Sequence, residues 1–200
     1  MEARVLENYK RYLERVNFCK NFGYDIEQER NFILKESKPI KGNILEIGTG
    51  KGYFTIELAK EGYSFTSVDI SEKEQEFAML NLAYLGLEKQ VNFKIDNAED
   101  LSFKNESFDV IFAINAIHHF TSPFKAMDEF IRVAKLKGKI ILSDFNEEGM
   151  KMIGKIHLSE GRKHEAGEVN LSQIDNYLKG KELNTQIHKG GFEDIVIAFR

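Results

Sequence analysis

The strongest local feature of the sequence is residues 44–52, which read ILEIGTGKG. Its first four residues are mostly apolar and predict a buried strand, and glycines at alternate positions predict a loop that leads into a helix. Glycine lets the backbone approach a ligand closely, and the free N–H groups of the following helix can bind a carboxylate or a phosphate. The stretch therefore predicts a cradle for a small molecule, although a tight turn with incidental glycines would have the same local sequence.

The glycine spacing disfavours a dinucleotide as the ligand. The dinucleotide pattern G-x-G-x-x-G requires its third glycine where this chain has Tyr53, and the spacing here is G-x-G-x-G. A side chain at that position would crowd the helix and the strand around a pyrophosphate. Glu46 would also place negative charge beside a phosphate, whereas it suits a ligand with an ammonium group. We therefore expect an amino-acid-like ligand.

Strand-like and helical segments alternate on the C-terminal side of this loop. The apolar, β-rich segments are residues 43–48, 64–70, 91–95, 108–114 and 138–145. Apolar residues recur at helical spacing in residues 52–62, 71–86 and 122–135. This alternation predicts right-handed βαβ units and an α/β fold with a doubly wound, mostly parallel sheet that helices cover on both faces.

The residues before this core, 1–41, are predicted to form an N-terminal helical cap. Apolar residues at three- and four-residue spacing predict one helix over residues 3–20. A second helix is expected to start at Asp25, with Gln28 as its capping-box partner, and to run until Pro39 stops it.

The predicted core, residues 42–145, is followed by a third region, residues 146–200. The elements expected there are helices over 147–158 and 171–179 and an antiparallel hairpin over 185–199. The hairpin turns at Gly190-Gly191, a turn signal between two β-rich runs. No linker or repeat separates the three regions, so we expect a single domain of residues 1–200.

Composition excludes several classes of protein. The chain has 200 residues, 42% of them hydrophobic, which is enough for one domain with a core. Its net charge of −4 is too ordinary for a disordered acidic chain. Without a block of Lys and Arg it lacks the basic footprint of a nucleic-acid binder, so a nucleic-acid partner is disfavoured.

Cysteine usage and hydropathy indicate a cytoplasmic protein. Cys19 is the single cysteine, so there is no partner for an intramolecular disulfide and no cysteine cluster for structural zinc. The first residues are charged throughout, and no apolar run approaches the ~20 residues that span a bilayer. We expect no membrane association.

Polar residues follow the predicted strands. Asp69 ends the second strand, about 20 residues after the glycine loop, where a carboxylate can accept both hydroxyls of a ribose. Its alternative role is to cap the helix that begins at Ser71. The acidic residues 96–100 follow the third strand, and Asn115 follows the fourth. Because parallel strands end at the same edge of a sheet, we expect these side chains to face one crevice.

The motifs in this order resemble those of a known family. The segments ILEIGTGKG, VDIS, NAEDLSFKNESFDVIFAINAIHHF and RVAKLKGKIILSDF lie within residues 43–145. Together they resemble the class I S-adenosylmethionine-dependent methyltransferases, specifically the branch that methylates small metabolites. The resemblance implies S-adenosyl-L-methionine as cofactor and a seven-stranded, Rossmann-like sheet whose last strand runs antiparallel. Residues 42–145 would then be the cofactor-binding core, and 146–200 would include an acceptor segment.

The resemblance also implies roles for individual residues. The glycine loop would hold the methionine part of the cofactor, Asp69 would bind the ribose, and residues 97–99 align with the family's Asp-Ala-Glu motif at the adenine. Asn97 stands where an aspartate is usual, although its amide oxygen can still accept a hydrogen bond from the adenine amino group. The family's Lys-Pro-Gly-Gly turn is replaced by Lys-Leu-Lys-Gly at 135–138. The predicted cofactor-binding residues are Glu46, Gly48, Thr49, Gly50, Gly52, Asp69, Ile70, Asp96, Asn97, Ala98 and Asn115.

Histidines are the candidates for a general base. His118 and His119 repeat a pair that is common in this branch, and His157 and His164 lie in the segment where the family often builds its acceptor pocket. We retain His157, His164 and His118 as base candidates and leave the catalytic residues unassigned. The five histidines show no metal-ligand spacing, so no metal is expected.

The predicted function is methyl transfer from S-adenosylmethionine to a small-molecule acceptor by in-line displacement. The sulfonium is a good leaving group, so a base is needed only if the acceptor must lose a proton. Two alternatives remain: a non-catalytic sensor that binds the same cofactor, and an NAD-dependent dehydrogenase. Tyr177 and Lys181 match the spacing of the short-chain dehydrogenase pair, but the glycine loop has the wrong spacing for that class.

The acceptor and the oligomeric state, monomer or homodimer, are not predicted. Residues 3–36 and 146–168 are the sizeable segments that are not committed to the sheet. We expect them to form a lid that excludes water and shapes the acceptor pocket.

Overall fold

The computed structural model describes residues 2–161, 167 and 169–200, in which helices and strands alternate along the chain. The helices are α1 (Glu2–Asn21), α2 (Ile26–Glu36), α3 (Tyr53–Lys60), α4 (Glu72–Leu85), α5 (Pro123–Val133), α6 (Glu147–Ser159) and α7 (Leu171–Gly180). The strands are β1 (Ile44–Ile47), β2 (Phe65–Asp69), β3 (Val91–Ile95), β4 (Phe108–Ile114), β5 (Ala134–Phe145), β6 (Asn184–Lys189) and β7 (Glu193–Phe199). Two short 3-10 turns lie at Glu88–Gln90 and Ile117–His119.

In the described part of the chain, seven strands form one sheet in the order β3-β2-β1-β4-β5-β7-β6. β1 pairs in parallel with both β2 and β4, and β3 and β5 extend the parallel part on either side. β7 pairs antiparallel with β5 and with β6, so the C-terminal hairpin completes the sheet. The structure confirms the doubly wound α/β fold, its seven strands and the antiparallel hairpin.

One predicted boundary is wrong. The sequence predicts a helix that continues to residue 135, whereas α5 ends at Val133 and β5 begins at Ala134. Ala134 pairs with Phe108 of β4, and the Val133 carbonyl accepts a hydrogen bond from the Ser107 N–H at 2.8 Å. These contacts with the neighbouring segment replace further helical hydrogen bonds, so the chain passes directly from helix to strand.

The core consists of two apolar layers, one on each face of the sheet. On the face covered by α5 and α7, Phe130 and Ile174 are fully buried. On the face covered by α2, α3 and α4, Ile33, Ile56 and Leu82 are fully buried. Burial on both faces explains why β1 and β4 have nearly continuous apolar sequences.

The first helix is fixed along α4. The Asn8 side chain donates to the Phe77 carbonyl at 3.0 Å and to Asn81 Oδ1 at 2.8 Å. Four tyrosine rings stack between α4, α1 and α3, with centroids 4.1, 5.6 and 5.3 Å apart in the order Tyr84, Tyr9, Tyr12, Tyr53. We call this group the tyrosine stack.

The second helix begins where the sequence predicts. Asp25 is its N-cap and accepts a hydrogen bond from the Gln28 N–H at 3.2 Å, and the helix ends at Glu36, before Pro39. A third apolar cluster then joins α1, α2 and α6 through Cys19, Tyr24, Ile26, Ile153 and Ile156. No helix in the described ranges has the length and apolarity needed to cross a bilayer.

Candidate functional site

A cavity of about 640 Å³ lies at the carboxyl ends of the parallel strands, around the point where β1 separates β2 from β4. Open α/β sheets bind ligands at this position, and the volume is within the range of small-molecule pockets. The cavity is lined by loops of the core, by α1 and α2, and by α6. The predicted residues that it brings together are Gly48, Thr49, Gly50, Asp69, Ile70, Asp96, Asn97, Ala98, Asn115 and His157.

The glycine loop has a conformation that requires glycine. Gly48 has a φ of 83°, and a Cβ there would lie 2.8 Å from the Ala116 Cβ. Gly52 has a φ of 86°, and a Cβ there would lie 2.8 Å from the Ala78 Cβ of α4. Side chains rarely adopt such φ values, and carbon atoms cannot approach so closely. The loop therefore holds its backbone against the cavity floor, as expected of a cradle.

Asp69 lies in the cavity wall and does not cap α4. Its Oδ2 accepts a hydrogen bond from the Gly50 N–H at 2.7 Å, and its Oδ1 accepts one from the Ser71 N–H at 2.8 Å. The N-cap of α4 is Ser71, which accepts from the Glu74 N–H. The capping alternative is therefore wrong. Each carboxylate oxygen keeps acceptor capacity for a ligand hydroxyl.

The loop after β3 presents polar side chains beside an exposed apolar one. Asp96 accepts a hydrogen bond from the Ser102 hydroxyl at 2.7 Å, and Asn97 Oδ1 accepts one from the Glu99 N–H at 3.0 Å. Ile70 is 73% exposed although it lines the cavity. An exposed apolar side chain next to hydrogen-bonding groups suits a flat heterocycle, whose face is apolar and whose edge is polar.

Two predicted contact residues, Glu46 and Gly52, do not line the cavity. Glu46 is only 2% exposed, and its carboxylate accepts hydrogen bonds from the Thr55 hydroxyl at 2.9 Å and the Ser67 hydroxyl at 2.6 Å. Burial raises the pKa of Glu46 to about 8. The prediction that Glu46 faces a ligand ammonium is therefore wrong. The Glu46 side chain lies behind the glycine loop and supports that loop.

A series of hydrogen-bonded side chains connects Glu46 to the cavity. The Ser67 hydroxyl, which binds Glu46, lies 2.6 Å from the Thr49 hydroxyl oxygen. Gln75 of α4 donates to Thr49 Oγ1 at 3.1 Å and to the Lys94 carbonyl at 3.0 Å. All these side chains are buried except for Lys94, whose backbone is the acceptor. Glu46 therefore acts on the site through Thr49.

A buried carboxylate, Glu193 of β7, joins the cap to the opposite end of the cavity. Arg30 of α2 donates to Glu193 Oε1 at 2.6 Å and to Oε2 at 2.8 Å. Asn115, which follows β4 and has a φ of 51°, donates to Glu193 Oε1 at 2.9 Å. The Tyr24 hydroxyl donates to the same oxygen, and Ser143 also contacts Glu193. Both Arg30 and Asn115 line the cavity.

The structure places the histidines predicted as base candidates in different surroundings. His118 does not line the cavity, because its Nδ1 binds Asp144 Oδ1 at 2.7 Å, so its candidacy as base is corrected. His119 and His157 do line it. Burial and the adjacent His118 lower the pKa of His119. His164 lies outside the described residues. Across residues 2–161, 167 and 169–200, no group of three His, Cys, Asp or Glu side chains is placed to hold a metal.

Several cavity residues were missed by the sequence analysis, among them Arg15, Arg30, Tyr53, His119 and Phe120. Arg15 and Arg30 belong to helices with no local site motif, and only the packing of the cap brings them to the cavity. Tyr53 directly follows the glycine loop, so its position in the chain was an available signal. His118 and His119 are neighbours in the chain, so the sequence did not show which of the two rings lines the cavity.

The alternative dehydrogenase pair lies elsewhere. The Tyr177 hydroxyl donates to Asp128 Oδ1 at 2.9 Å, and Lys181 binds the same carboxylate at 2.7 Å. Neither residue lines the cavity. Their spacing reflects contacts between α7 and α5, so the dehydrogenase alternative is rejected.

Comparison with known proteins agrees with this geometry. The family model described as a methyltransferase domain matches residues 40–191. A relative from Rickettsia bellii, the ubiquinone/menaquinone biosynthesis C-methyltransferase UbiE, is 26% identical over 209 residues, covering 96% of this chain and 84% of the relative.

Solved structures share the fold. A SAM-dependent methyltransferase from Aquifex aeolicus superposes with a TM-score of 0.66 and 20% identity, over 84% of this chain and 88% of that one. A geranyl diphosphate methyltransferase in complex with SAM superposes with a TM-score of 0.68 and 12% identity, over 87% and 85%. Since the family model covers well over half of the sequence, this chain belongs to the methyltransferase-domain family and is an S-adenosylmethionine-dependent methyltransferase.

Proposed function

We propose that this enzyme methylates a carbon atom of a small hydroxylated aromatic acceptor of the quinol type. One observation carries the proposal: beyond the glycine loop, the cavity is lined by Tyr53, His119, Phe120 and His157. Aromatic and imidazole side chains suit a flat ring that carries hydroxyl groups. The relatives named for quinone biosynthesis support the same acceptor class.

We infer that the cofactor lies along the strand ends. Asp69 would accept hydrogen bonds from the ribose, and the loop of residues 96–99 together with Ile70 would hold the adenine. Gly48, Thr49 and Gly50 would approach the methionine part with their backbone. When bound there, the cofactor supplies a sulfonium methyl group, whose carbon–sulfur bond breaks as the acceptor carbon bonds to the methyl carbon.

The residues of this chain would then align the acceptor and remove its proton. Burial raises the pKa of Tyr53 to about 12, so its hydroxyl stays protonated and can donate a hydrogen bond to an acceptor oxygen. The lowered pKa of His119 leaves this imidazole neutral at pH 7, so it can accept the proton of an aromatic hydroxyl. Removal of that proton increases the electron density at the ring carbon that would attack the methyl group. That ring carbon would then lose its own hydrogen as a proton to restore aromaticity, and the hydroxyl oxygen would regain a proton, so one proton is released for each methyl group transferred.

The experiment is a methylation assay with a panel of acceptors. Purified enzyme is supplied with S-adenosylmethionine and with a reduced benzoquinol or naphthoquinol, a simple phenol, a primary amine or an α-amino acid. S-adenosylhomocysteine formation is measured, and the product is identified by mass spectrometry and NMR. We expect a C-methylated quinol and no methylated amine. Methylation of the amine but not of the quinol would overturn the acceptor class.

The variant His119→Asn tests the proposed base in the same assay. We expect kcat for the quinol to fall by about a hundredfold, within the range for general-base catalysis, while affinity for S-adenosylhomocysteine is unchanged. Because a base acts in its neutral form, the acidic limb of the wild-type rate profile should lie below the ordinary histidine pKa of about 6.5. The matched control is His188→Asn, since His188 on β6 binds Glu36 and does not line the cavity.

A further inference from the structure

The charged residues that line the cavity differ between its two ends. The acidic ones lie within residues 69–74 and 96–99, which follow β2 and β3. The basic ones lie on the cap helices and the glycine loop and are Arg15, Arg30 and Lys51. Glu193 accepts hydrogen bonds from Arg30 with both carboxylate oxygens, and both side chains are buried. Arg15 is therefore the cap arginine to consider as a ligand contact.

Two nitrogen atoms of Arg15 are accessible and unused. Its Nη1 donates to Glu160 Oε1, and its guanidinium carbon lies 5.6 Å from the centre of the Phe18 ring. In the part of the chain that the structure describes, Nε and Nη2 make no hydrogen bond, and neither atom is buried. The side chain is 24% exposed and lines the cavity. A ligand in the cavity can therefore reach these donors.

The ion pair with Glu160 leaves room for a ligand anion. Its two side chains are both partly exposed, and ion pairs in contact with water contribute little to stability because water screens the charges. A guanidinium also presents several N–H groups in a planar fork, which matches the two oxygens of a carboxylate. A ligand carboxylate can therefore share or replace Glu160 on Arg15 at little cost in free energy.

Arg15 acts on the residues proposed to align the acceptor. Burial raises the pKa of Tyr53, and among the charged groups around that hydroxyl Arg15 has the largest opposing effect. Glu160, the partner of Arg15, donates its backbone N–H to the carbonyl of His157 at 3.0 Å. Both Tyr53 and His157 line the cavity. An acceptor ring bound between these two residues would therefore lie within reach of the Arg15 guanidinium.

We propose that Arg15 determines acceptor specificity by binding a carboxylate on the ring of the quinol-type acceptor, in exchange for Glu160. The sulfonium charge of the cofactor favours an anionic acceptor in the same cavity. The cap then selects the acceptor by charge, whereas the acidic residues after β2 and β3 lie at the opposite end. This inference rests on the proposed function, because it takes the acceptor ring to lie beside Tyr53 and His157.

The test compares two quinol-type ligands that differ in one charge. Gentisate is a dihydroxybenzene that carries a carboxylate, and gentisamide has an uncharged amide in its place. Affinities for both are measured by calorimetry with enzyme saturated with S-adenosylhomocysteine, so that no methyl transfer interferes. Affinity for S-adenosylhomocysteine itself is measured separately.

Two variants and one control are used. Arg15→Gln removes the guanidinium, and Glu160→Gln removes the carboxylate that competes for it. The matched control is Arg11→Gln, since Arg11 lies one turn earlier on α1, binds Glu7 and does not line the cavity.

We expect wild type to bind gentisate more tightly than gentisamide. Arg15→Gln should weaken gentisate binding by about tenfold, as for one lost charged hydrogen bond. Glu160→Gln should strengthen gentisate binding by about threefold, the effect of removing a partly exposed ion pair. Binding of gentisamide should stay at the wild-type level in both variants, and Arg11→Gln should change neither affinity. A purely structural ion pair would not give opposite effects when its two members are replaced.

Four results would overturn the proposal. Equal affinity of wild type for the two ligands would show that Arg15 does not select a carboxylate. Equal weakening of both ligands in Arg15→Gln would show that the ion pair has a purely structural role. Weaker S-adenosylhomocysteine binding in Arg15→Gln, with an unchanged preference for gentisate, would assign Arg15 to the cofactor. In these three cases the quinol-type acceptor of the proposed function stands, whereas failure of wild type to bind either ligand would contradict that acceptor class and this inference together.

Discussion

The two ends of the cavity are built in opposite ways. At the β2–β3 end, Asp69 is held by backbone N–H groups of Gly50 and Ser71, 19 and 2 residues away in the chain. At the other end, Arg30 is held by Glu193, 163 residues away. The first end depends on backbone N–H groups of the loops that follow β1 and β2, and the second depends on one buried charge cluster that joins distant segments. We call the first the backbone-held end and the second the charge-held end.

The largest effect is expected at the backbone-held end, from Asp69→Ala. The variant loses the proposed hydrogen bonds to both ribose hydroxyls, each worth about 1.5–3 kcal/mol for a charged acceptor. Affinity for S-adenosylhomocysteine should therefore fall by about a hundredfold or more, as measured by calorimetry. The control Asp128→Asn removes a carboxylate that binds Tyr177 and Lys181 outside the cavity. Wild-type affinity in Asp69→Ala would contradict the assignment of this end to the ribose.

The glycine loop provides a second test of the same end, through stability. In Gly52→Ala the new Cβ would lie 2.8 Å from the Ala78 Cβ, and residue 52 would have to keep a φ of 86°. Overpacking and backbone strain would therefore both destabilise the variant. We expect a loss of about 2–4 kcal/mol in the free energy of unfolding, measured with urea. Gly62→Ala is the matched control, because Gly62 has the same φ and no atom within 4 Å of its Cβ. It should lose only about 1–2 kcal/mol. Equal losses would show that the close approach to Ala78 is unimportant.

A smaller effect on the free energy of unfolding is expected from the ionisation of Glu46. Burial raises its pKa to about 8, so in the folded state the carboxyl stays protonated at pH values where the unfolded chain ionises. The stability that it contributes is complete below the unfolded pKa of about 4.3 and is lost as the pH rises through about 8. Wild type should therefore lose more unfolding free energy between pH 5 and pH 9 than Glu46→Gln.

Urea titrations at several pH values measure this difference. The control is Glu88→Gln, which changes an exposed carboxylate outside the cavity. Parallel stability profiles for wild type and Glu46→Gln, after subtraction of the control, would mean that Glu46 ionises normally in the fold.

The smallest effect is expected in the amide hydrogen exchange of the predicted lid, whose helices include residues at the charge-held end of the cavity. Arg15 of α1, Arg30 of α2 and His157 of α6 line the cavity, so a bound ligand should contact these helices. We expect S-adenosylhomocysteine to slow amide hydrogen exchange in α1, α2 and α6, and to leave α7 unchanged as an internal control. Protection confined to the glycine loop and residues 96–100 would contradict a lid.

Prediction from sequence succeeded where the deciding contacts are local. Alternating glycines, strand-end acids and apolar periodicity identified the strands, the antiparallel hairpin and the β2–β3 end of the cavity, because backbone geometry follows directly from such patterns. Asp69 and Ser71 were both possible caps, and the two lie too close in the chain for the sequence to separate them.

Prediction failed where long-range packing decides. Arg30 lines the cavity and binds Glu193, and a single sequence does not reveal a pair so far apart. Glu46 was placed at the ligand because it stands at a strand end, yet alternation along β1 directs its side chain toward Ser67 and Thr55 instead. His164 lies outside the described residues, and its role stays a prediction.

The tyrosine stack also has a spectroscopic consequence. The chain contains 7 tyrosines and no tryptophan, so its aromatic near-ultraviolet signal has no indole contribution. Four of those rings lie in one stack that runs from α4 through α1 to Tyr53 at the cavity. Rings fixed in an asymmetric environment give near-ultraviolet circular dichroism that vanishes when packing is lost. The unlabelled protein therefore carries an intrinsic optical reporter of whether its first helix is docked.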